Sequence, residues 1–373
     1  MSRKQNLKSQ KIILEDPFLW GSFLLILIFG LAVLYSASLH SAGRIYGDQF
    51  YFIKKQVIFA AGGLVCLFFF RFLPYKNLKK AAYPGILLSI ILLAAIYLTP
   101  LGHTVGGASR WLKLPFISFQ PGVFSFYTII IYLAHTISIH QEDMHSFKKG
   151  ILPHLILFAI FALFLYFQPD FGSIVITAAI IWIMLISGGA RTKHMALLTC
   201  TGIALGTFFM LQQDYRVDRI LSFLNPWEYS STISYQATMS LKAFINGGFF
   251  GTGLGDGMLK LEYLPESHTD FIFSIIGEET GFIGVFFLVF LFSAFLIRGF
   301  KIAENAPDKF GALLAAGITS VIGLHVVINM GVTLSILPPK GLPLPFISYG
   351  GTALLMNMSA VGILMNIGAA SDG

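Results

Sequence analysis

Apolar stretches of near 20 residues recur about ten times along this chain, and no other feature restricts its fold so strongly. A helix rising 1.5 Å per residue needs roughly that length to cross a hydrocarbon layer about 30 Å thick. Inside such a layer the backbone has no water to bond, so each run must satisfy its own amides as a helix. The runs lie near 18–38, 52–70, 81–99, 122–139, 150–167, 171–187, 194–211, 269–297, 310–336 and 346–369. Of the 373 residues 55% are hydrophobic and 12% charged, a balance that excludes a water-soluble domain. The expectation is an all-α polytopic membrane bundle forming one domain over 1–373.

The first run follows a basic tail, residues 1–17, with Arg3, Lys4, Lys8 and Lys11. It is too long for a secretion signal and has no small-residue cleavage site before His40, so it is expected to remain as the first membrane helix. Cys66 and Cys200 both fall inside apolar runs and offer no disulfide framework or metal-ligand spacing.

A net charge of +7 would suit nucleic acid, but the cations are distributed as membrane topology distributes them. Arg71 with Lys76, Lys79 and Lys80, Lys148 with Lys149, Arg191 with Lys193, and Arg298 with Lys301 and Lys309 share one side with the basic tail. Both termini are then cytoplasmic, and two long loops face outward, about 100–121 and 212–268, the second between helices seven and eight. Trp227, Tyr229, Tyr235, Phe244, Phe249 and Phe250 make that second loop too aromatic for disorder, and short surface helices are expected there.

Polar residues near the spans are few, and an ionisable one costs about 2.5–3.5 kcal/mol at a helix centre. The richest group is Tyr263-Leu-Pro-Glu266-Ser-His268-Thr-Asp270, continuing to Glu278 and Glu279. Asp270 falls in the first turn of the eighth span, where it serves either chemistry or the positive helix end, with Thr269 as a cap. Glu278 and Glu279 lie deeper, and helical spacing does not bring all three acids onto one face; interhelical bonds are their plain explanation. His268 offers proton transfer or is passive.

Arg110, in Gly107-Ala-Ser-Arg110-Trp111, suits phosphate or an interface anchor. The loop Pro338-Pro-Lys340-Gly-Leu-Pro-Leu-Pro-Phe-Ile-Ser348-Tyr349-Gly350-Gly351 is stiffened by proline. Asp170 meets a cation or caps the sixth helix, and His325 with Asn329, one turn apart, reads as a buried hydrogen-bonding pair.

In order along almost the whole chain, these segments resemble the SEDS family of membrane glycosyltransferases, which polymerise peptidoglycan from lipid II. The resemblance also rests on Tyr35-Ser-Ala-Ser, Gly47-Asp-Gln-Phe-Tyr-Phe-Ile-Lys54-Lys-Gln56, Gln168-Pro-Asp-Phe-Gly172, Arg219-Ile, Phe223-Leu-Asn-Pro226, Tyr235-Gln236 and Gly247-Gly-Phe-Phe-Gly251. The lead-in Gly47 to Gln56 and the phrases Pro100 to Trp111 and Tyr263 to His268 favour its division branch over its elongation branch.

The resemblance implies an enzyme of the bacterial inner membrane, at the division septum, with Asp270 as its essential outward-facing carboxylate. It implies lipid II as substrate, and a class B penicillin-binding protein with other divisome proteins as partners among membrane lipids. Nucleic acid is not expected. Diphosphate leaves readily, so one base suffices for an inverting displacement. Arg110, Arg216, Arg219, Lys242, Lys260 and Lys340 are the cations available to steady the diphosphate, with Glu266, His268, Glu278 and Ser348 in support. A divalent cation, Mg or Mn, would share that task, although no ligand set in the sequence specifies it.

One departure stands out. Family members continue Gln-Pro-Ser-Glu-Leu-Ala-Lys where this chain has Gln120-Pro-Gly-Val123-Phe-Ser-Phe126, so an acid and a cation are replaced by apolar residues. A lipid II flippase and a catalytically weakened divisome scaffold are the competing readings; a flippase needs a polar path across the whole membrane, whereas the polar residues gather in the outer half.

Overall fold

The computed structural model describes residues 16–105, 108–115, 118–211, 223–224, 226–229, 234–260, 267–338 and 340–371. All ten apolar runs are helical: α1 Pro17–Tyr46, α2 Tyr51–Phe72, α3 Leu78–Leu98, α4 Pro121–Ile139, α5 Leu152–Phe167, α6 Phe171–Ser187 and α7 Thr192–Leu211 come first. After the short α8 Tyr235–Gly247 come α9 Ile272–Glu304, α10 Lys309–Thr333 and α11 Gly351–Ser371. Eight candidate spans among the described residues are long and apolar enough to cross a membrane; Phe171–Ser187 is apolar but shorter.

Local chemistry sets the ends. Asp16 starts α1 by accepting the Leu19 amide at 3.0 Å, with Pro17 supplying a backbone angle already helical. Arg298, near the end of α9, grips the same carboxylate through Nε and Nη2 at 2.7–3.0 Å and so ties α1 to α9. Asp308 caps α10 through the Gly311 amide at 2.8 Å and also accepts the Tyr75 hydroxyl. These contacts lie at the end of the bundle that carries the clustered cations, the basic end.

The opposite end differs from an all-helical expectation. Residues 102–119 form a three-stranded antiparallel sheet, β1 Gly102–Val105, β2 Ala108–Lys113 and β3 Ser118–Phe119. Gly102 pairs with Leu112 and Leu112 with Phe119, and a bulge at His103/Thr104 shifts the first register.

The loop between α10 and α11 enters the core at this sheet end. Leu344, Phe346 and Ile347 are buried, and the Phe346 ring stands edge-on to Phe23 and Phe295 at 5.3 and 5.8 Å. Phe346 holds φ 67°, a strained angle for a residue with a side chain, maintained by this packing. Irregular backbone is tolerable at such depth only because protein surrounds it.

Helix α9 is broken at Gly281, whose φ of 63° and ψ of −164° leave the helical region. Residues 248–253 fill the break. Phe282 and Ile283 donate to the carbonyls of Gly248 and Phe249 at 3.0 and 3.3 Å, while Thr252 and Gly253 donate to those of Glu278 and Glu279 at 3.0 and 3.1 Å.

Candidate active site

Asp270 is not in the first turn of α9. It lies in the turn 267–271 before the helix, and the N-cap position falls to Phe271 and not to Thr269. The geometry here is set by the main chain. The carbonyl of His268 accepts the Tyr349 amide at 3.0 Å, that of Thr269 the Ser348 hydroxyl at 2.6 Å, and that of Asp270 the Asn329 side-chain amide at 2.8 Å. Three consecutive carbonyls are thus held by the loop and by α10. Gln56, fully buried on α2, fixes the loop in turn: it donates to the Ser348 carbonyl at 3.1 Å and accepts the Gly350 amide at 3.3 Å.

The Asp270 carboxylate lies on Gly341, so close that Oδ2 occupies the space a Cβ there would need. The adjacent Lys340 extends across Gly172 at the start of α6, where a Cβ would collide with its stem. The helix start, the basic loop and the carboxylate therefore meet at the sheet end. Asp170 caps α6, accepting the Ser173 amide at 3.2 Å and its hydroxyl at 2.7 Å, as its sequence position implies. Arg110 of β2 approaches Asp170 at 3.5 Å and donates to the Pro169 carbonyl at 2.9 Å. Its guanidinium spans the sheet and α6.

A narrow cavity of about 50 Å³ lies beside Gly341, lined also by Arg110, Asp170, His325 and Ser348; Asp270 and Lys340 adjoin it through Gly341 without lining it. Val123 and Phe126 also line it, so the two apolar departures noted in the sequence face this cavity. The Phe126 ring meets His325 edge-on at 5.5 Å.

Several expectations are corrected. Lys260 does not join the other cations; it is buried, 6% exposed, and its ammonium lies on the Glu279 carboxylate and on Ser36 Oγ. Burial removes it from any diphosphate. Lys242 is exposed on α8 and does not line the cavity. Glu278 is buried, accepts the amides of Met258 and Leu259 and does not line the cavity. His268 is half-buried with its ring 4.3 Å from Phe52, not an exposed loop histidine. His325 and Asn329 do not pair: His325 Nδ1 bonds the Val321 carbonyl at 2.7 Å, and Asn329 reaches Asp270 and, at 2.6 Å, Leu342. Arg216, Arg219 and Glu266 lie outside the described residues.

Tyr349 sits beside the turn, and burial, followed by Tyr51 and Tyr46 nearby, pushes its phenol up to about 12, so it stays protonated. Among the described residues no cluster of three or more His, Cys, Asp or Glu is arranged to hold a metal ion.

Comparison with known proteins gives a consistent picture. The sequence pattern of the cell cycle protein family of FtsW, RodA and SpoVE matches residues 17–372. A probable peptidoglycan glycosyltransferase FtsW of Trichlorobacter lovleyi is 39% identical over 365 residues, 96% of each chain. Stage V sporulation protein E of Bacillus subtilis is 38% identical over 345 residues, covering 92% of this chain and 94% of its own. Among solved structures, a chain from a study of how a peptidoglycan synthase complex coordinates polymerization and crosslinking superposes with a TM-score of 0.79 at 24% identity, covering 96% of this chain and 99% of that one. The rod shape determining protein RodA of Thermus thermophilus gives 0.71 at 23% identity, covering 96% and 97%.

Proposed function

The chain belongs to the FtsW, RodA and SpoVE family of cell cycle proteins, and on that premise we propose that it is a multi-pass membrane peptidoglycan glycosyltransferase that joins lipid II into glycan strands during division. Asp270 is the base. The observation that carries this reading is its main-chain setting: three pinned carbonyls aim one carboxylate at a glycine beside a lysine.

Asp270 takes the proton from the attacking sugar hydroxyl as that oxygen bonds the anomeric carbon of the donor. The bond from that carbon to the lipid diphosphate breaks, and its electron pair departs with the diphosphate. One displacement inverts the centre, and no covalent enzyme intermediate is needed. Lys340 and Arg110 are the described cations placed to offset the growing charge on the leaving group, with Arg216 and Arg219 as further candidates on the loop 212–268. The sheet end faces outward and both termini are cytoplasmic, because the clustered cations at the other end obey the positive-inside bias. A single-span class B penicillin-binding protein is the partner, at the division septum.

The test uses the protein purified with its transpeptidase partner in detergent and supplied with lipid II. Glycan strands form, and Asp270→Ala abolishes them while keeping the unfolding midpoint. Normal strands from that variant refute the base. No strands from the intact complex support the second reading, a divisome scaffold, which the apolar Val123 and Phe126 on the cavity wall favour. Transfer of labelled lipid II across vesicles tests flipping.

A further inference from the structure

The paired acids Glu278 and Glu279 are buried to 0% and 2% exposure, yet neither lines the cavity beside Gly341. Each holds a piece of the loop that precedes Asp270. Glu278 accepts the Met258 amide at 3.0 Å and the Leu259 amide at 3.2 Å. Glu279 Oε1 receives the Lys260 ammonium and the Ser36 hydroxyl, the latter at 2.6 Å, and Lys260 also donates to Ser36 at 2.7 Å. Helix α1, helix α9 and the loop are joined at one point.

The same stretch of α9 anchors a second part of the loop, since the carbonyls of Glu278 and Glu279 accept the amides of Thr252 and Gly253 beside the break at Gly281. Residues 258–260 and residues 268–270 are thus each held to other parts of the fold. One anchor is the glutamate pair; the other is the set of bonds on His268, Thr269 and Asp270.

A buried ion pair is a poor device for stability alone, because apolar side chains of similar volume hold as well without the cost of desolvating two charges. What it does enforce is register. Glu279 Oε2 has no hydrogen-bond partner among the described residues, which leaves the Lys260 ammonium as the chief compensation for the buried charge. A loop shifted by one residue would strand both ions.

We infer that Glu278 and Glu279 are positioning residues for the reaction: together with Lys260 they lock residues 258–260 to α1 and to α9, the helix that begins two residues after Asp270, and so hold the frame on which its carboxylate is placed. This rests on the assignment of Asp270 proposed above.

The experiment compares parent, Asp270→Ala, Lys260→Met/Glu279→Gln, Lys260→Arg and Glu278→Gln as complexes with the transpeptidase partner. It measures kcat and KM for lipid II, the unfolding midpoint, and hydrogen exchange at the amides of 258 and 259. The Lys260→Met/Glu279→Gln variant, which removes both charges, unfolds near the parent midpoint and keeps its KM within twofold, but loses at least tenfold in kcat. Lys260→Arg, retaining the pair, keeps at least a third of parental kcat. Glu278→Gln exchanges the two amides at least tenfold faster and also loses kcat; it carries the test alone should the double variant unfold. Parental kcat in Lys260→Met/Glu279→Gln or in Glu278→Gln, beside an inactive Asp270→Ala, overturns this inference and leaves the base assignment standing. Parental turnover in Asp270→Ala overturns both.

Discussion

The side-chain amide of Asn329 donates to the main-chain carbonyl of Asp270 at 2.8 Å and to that of Leu342 at 2.6 Å, so one residue of α10 joins the candidate base to the loop that faces it. Asn329→Leu leaves two carbonyls without that donor, at about 1–3 kcal/mol for each buried group left unsatisfied. A lower unfolding midpoint in detergent and a kcat reduced more than tenfold are expected. Parental kcat in this variant would show that pinning this carbonyl does not matter to turnover.

Gly341 is the floor on which the Asp270 carboxylate rests. It is absent from the positive-φ glycines, so alanine suits its backbone and Gly341→Ala acts through the added methyl alone. That methyl displaces Oδ2. The expected result is a loss of about 10²-fold in kcat, the lower range for a general base, with little change in melting. Equal losses in folded yield and in activity would point to misfolding instead.

Phe126 is 3% exposed against His325. Phe126→Lys alone buries an unpaired ammonium and should cost about 3–5 kcal/mol. Val123→Glu, three residues earlier on the same helix, supplies a partner within reach. Adding it should recover part of the lost stability, measured as a coupling between the two changes. If the double variant also polymerises faster than the parent, the apolar pair weakens the site; unchanged turnover means that the site works without a charged pair there.

Asp308 predicts a pH dependence at the basic end. Burial, the largest influence, raises its carboxyl, but the Gly311 amide, the Tyr75 hydroxyl, Lys79 and Lys76 together outweigh it and hold the group below its ordinary 3.8. A depressed carboxyl stabilises the fold above the unfolded pKa, and that contribution disappears as pH falls through the folded one. Asp308→Ala should therefore cost about 1 kcal/mol at neutral pH as a lost cap. Melting curves of parent and variant should converge on acidification. A gap that persists or widens in acid would contradict this sign.

Much of this architecture can be read directly from residue order. Ten apolar runs became helices because hydrocarbon permits little else, and Asp170 before Phe171 capped α6 as its position implied. The sheet at 102–119 was missed because its strands are short and interrupted by a bulge, leaving little alternation to detect. Lys260 reads like any loop cation; only the fold, by bringing Ser36 and Glu279 to it, shows that it is buried. Asn329 gave a half-signal: a polar residue in an apolar span needs a partner, but spacing pointed to His325 while the true partners were carbonyls from two other segments. Asp270 was located by motif, and its support by Tyr349, Ser348 and Asn329 depends on contacts between distant stretches.

The cavity beside Gly341, about 50 Å³, is far smaller than the roughly 300–1,000 Å³ that small-molecule sites commonly span. A sugar ring enters only if a wall yields. The proline-rich wall is bolted by Phe346 between Phe23 and Phe295, and retracting it would tear away the bonds that aim the carboxylate. The other seam is where Arg110 bridges the sheet to Asp170 at 3.5 Å and to the Pro169 carbonyl at 2.9 Å. If the proposed reaction draws its donor through this cavity, the Arg110 contact has to part and re-form at each addition.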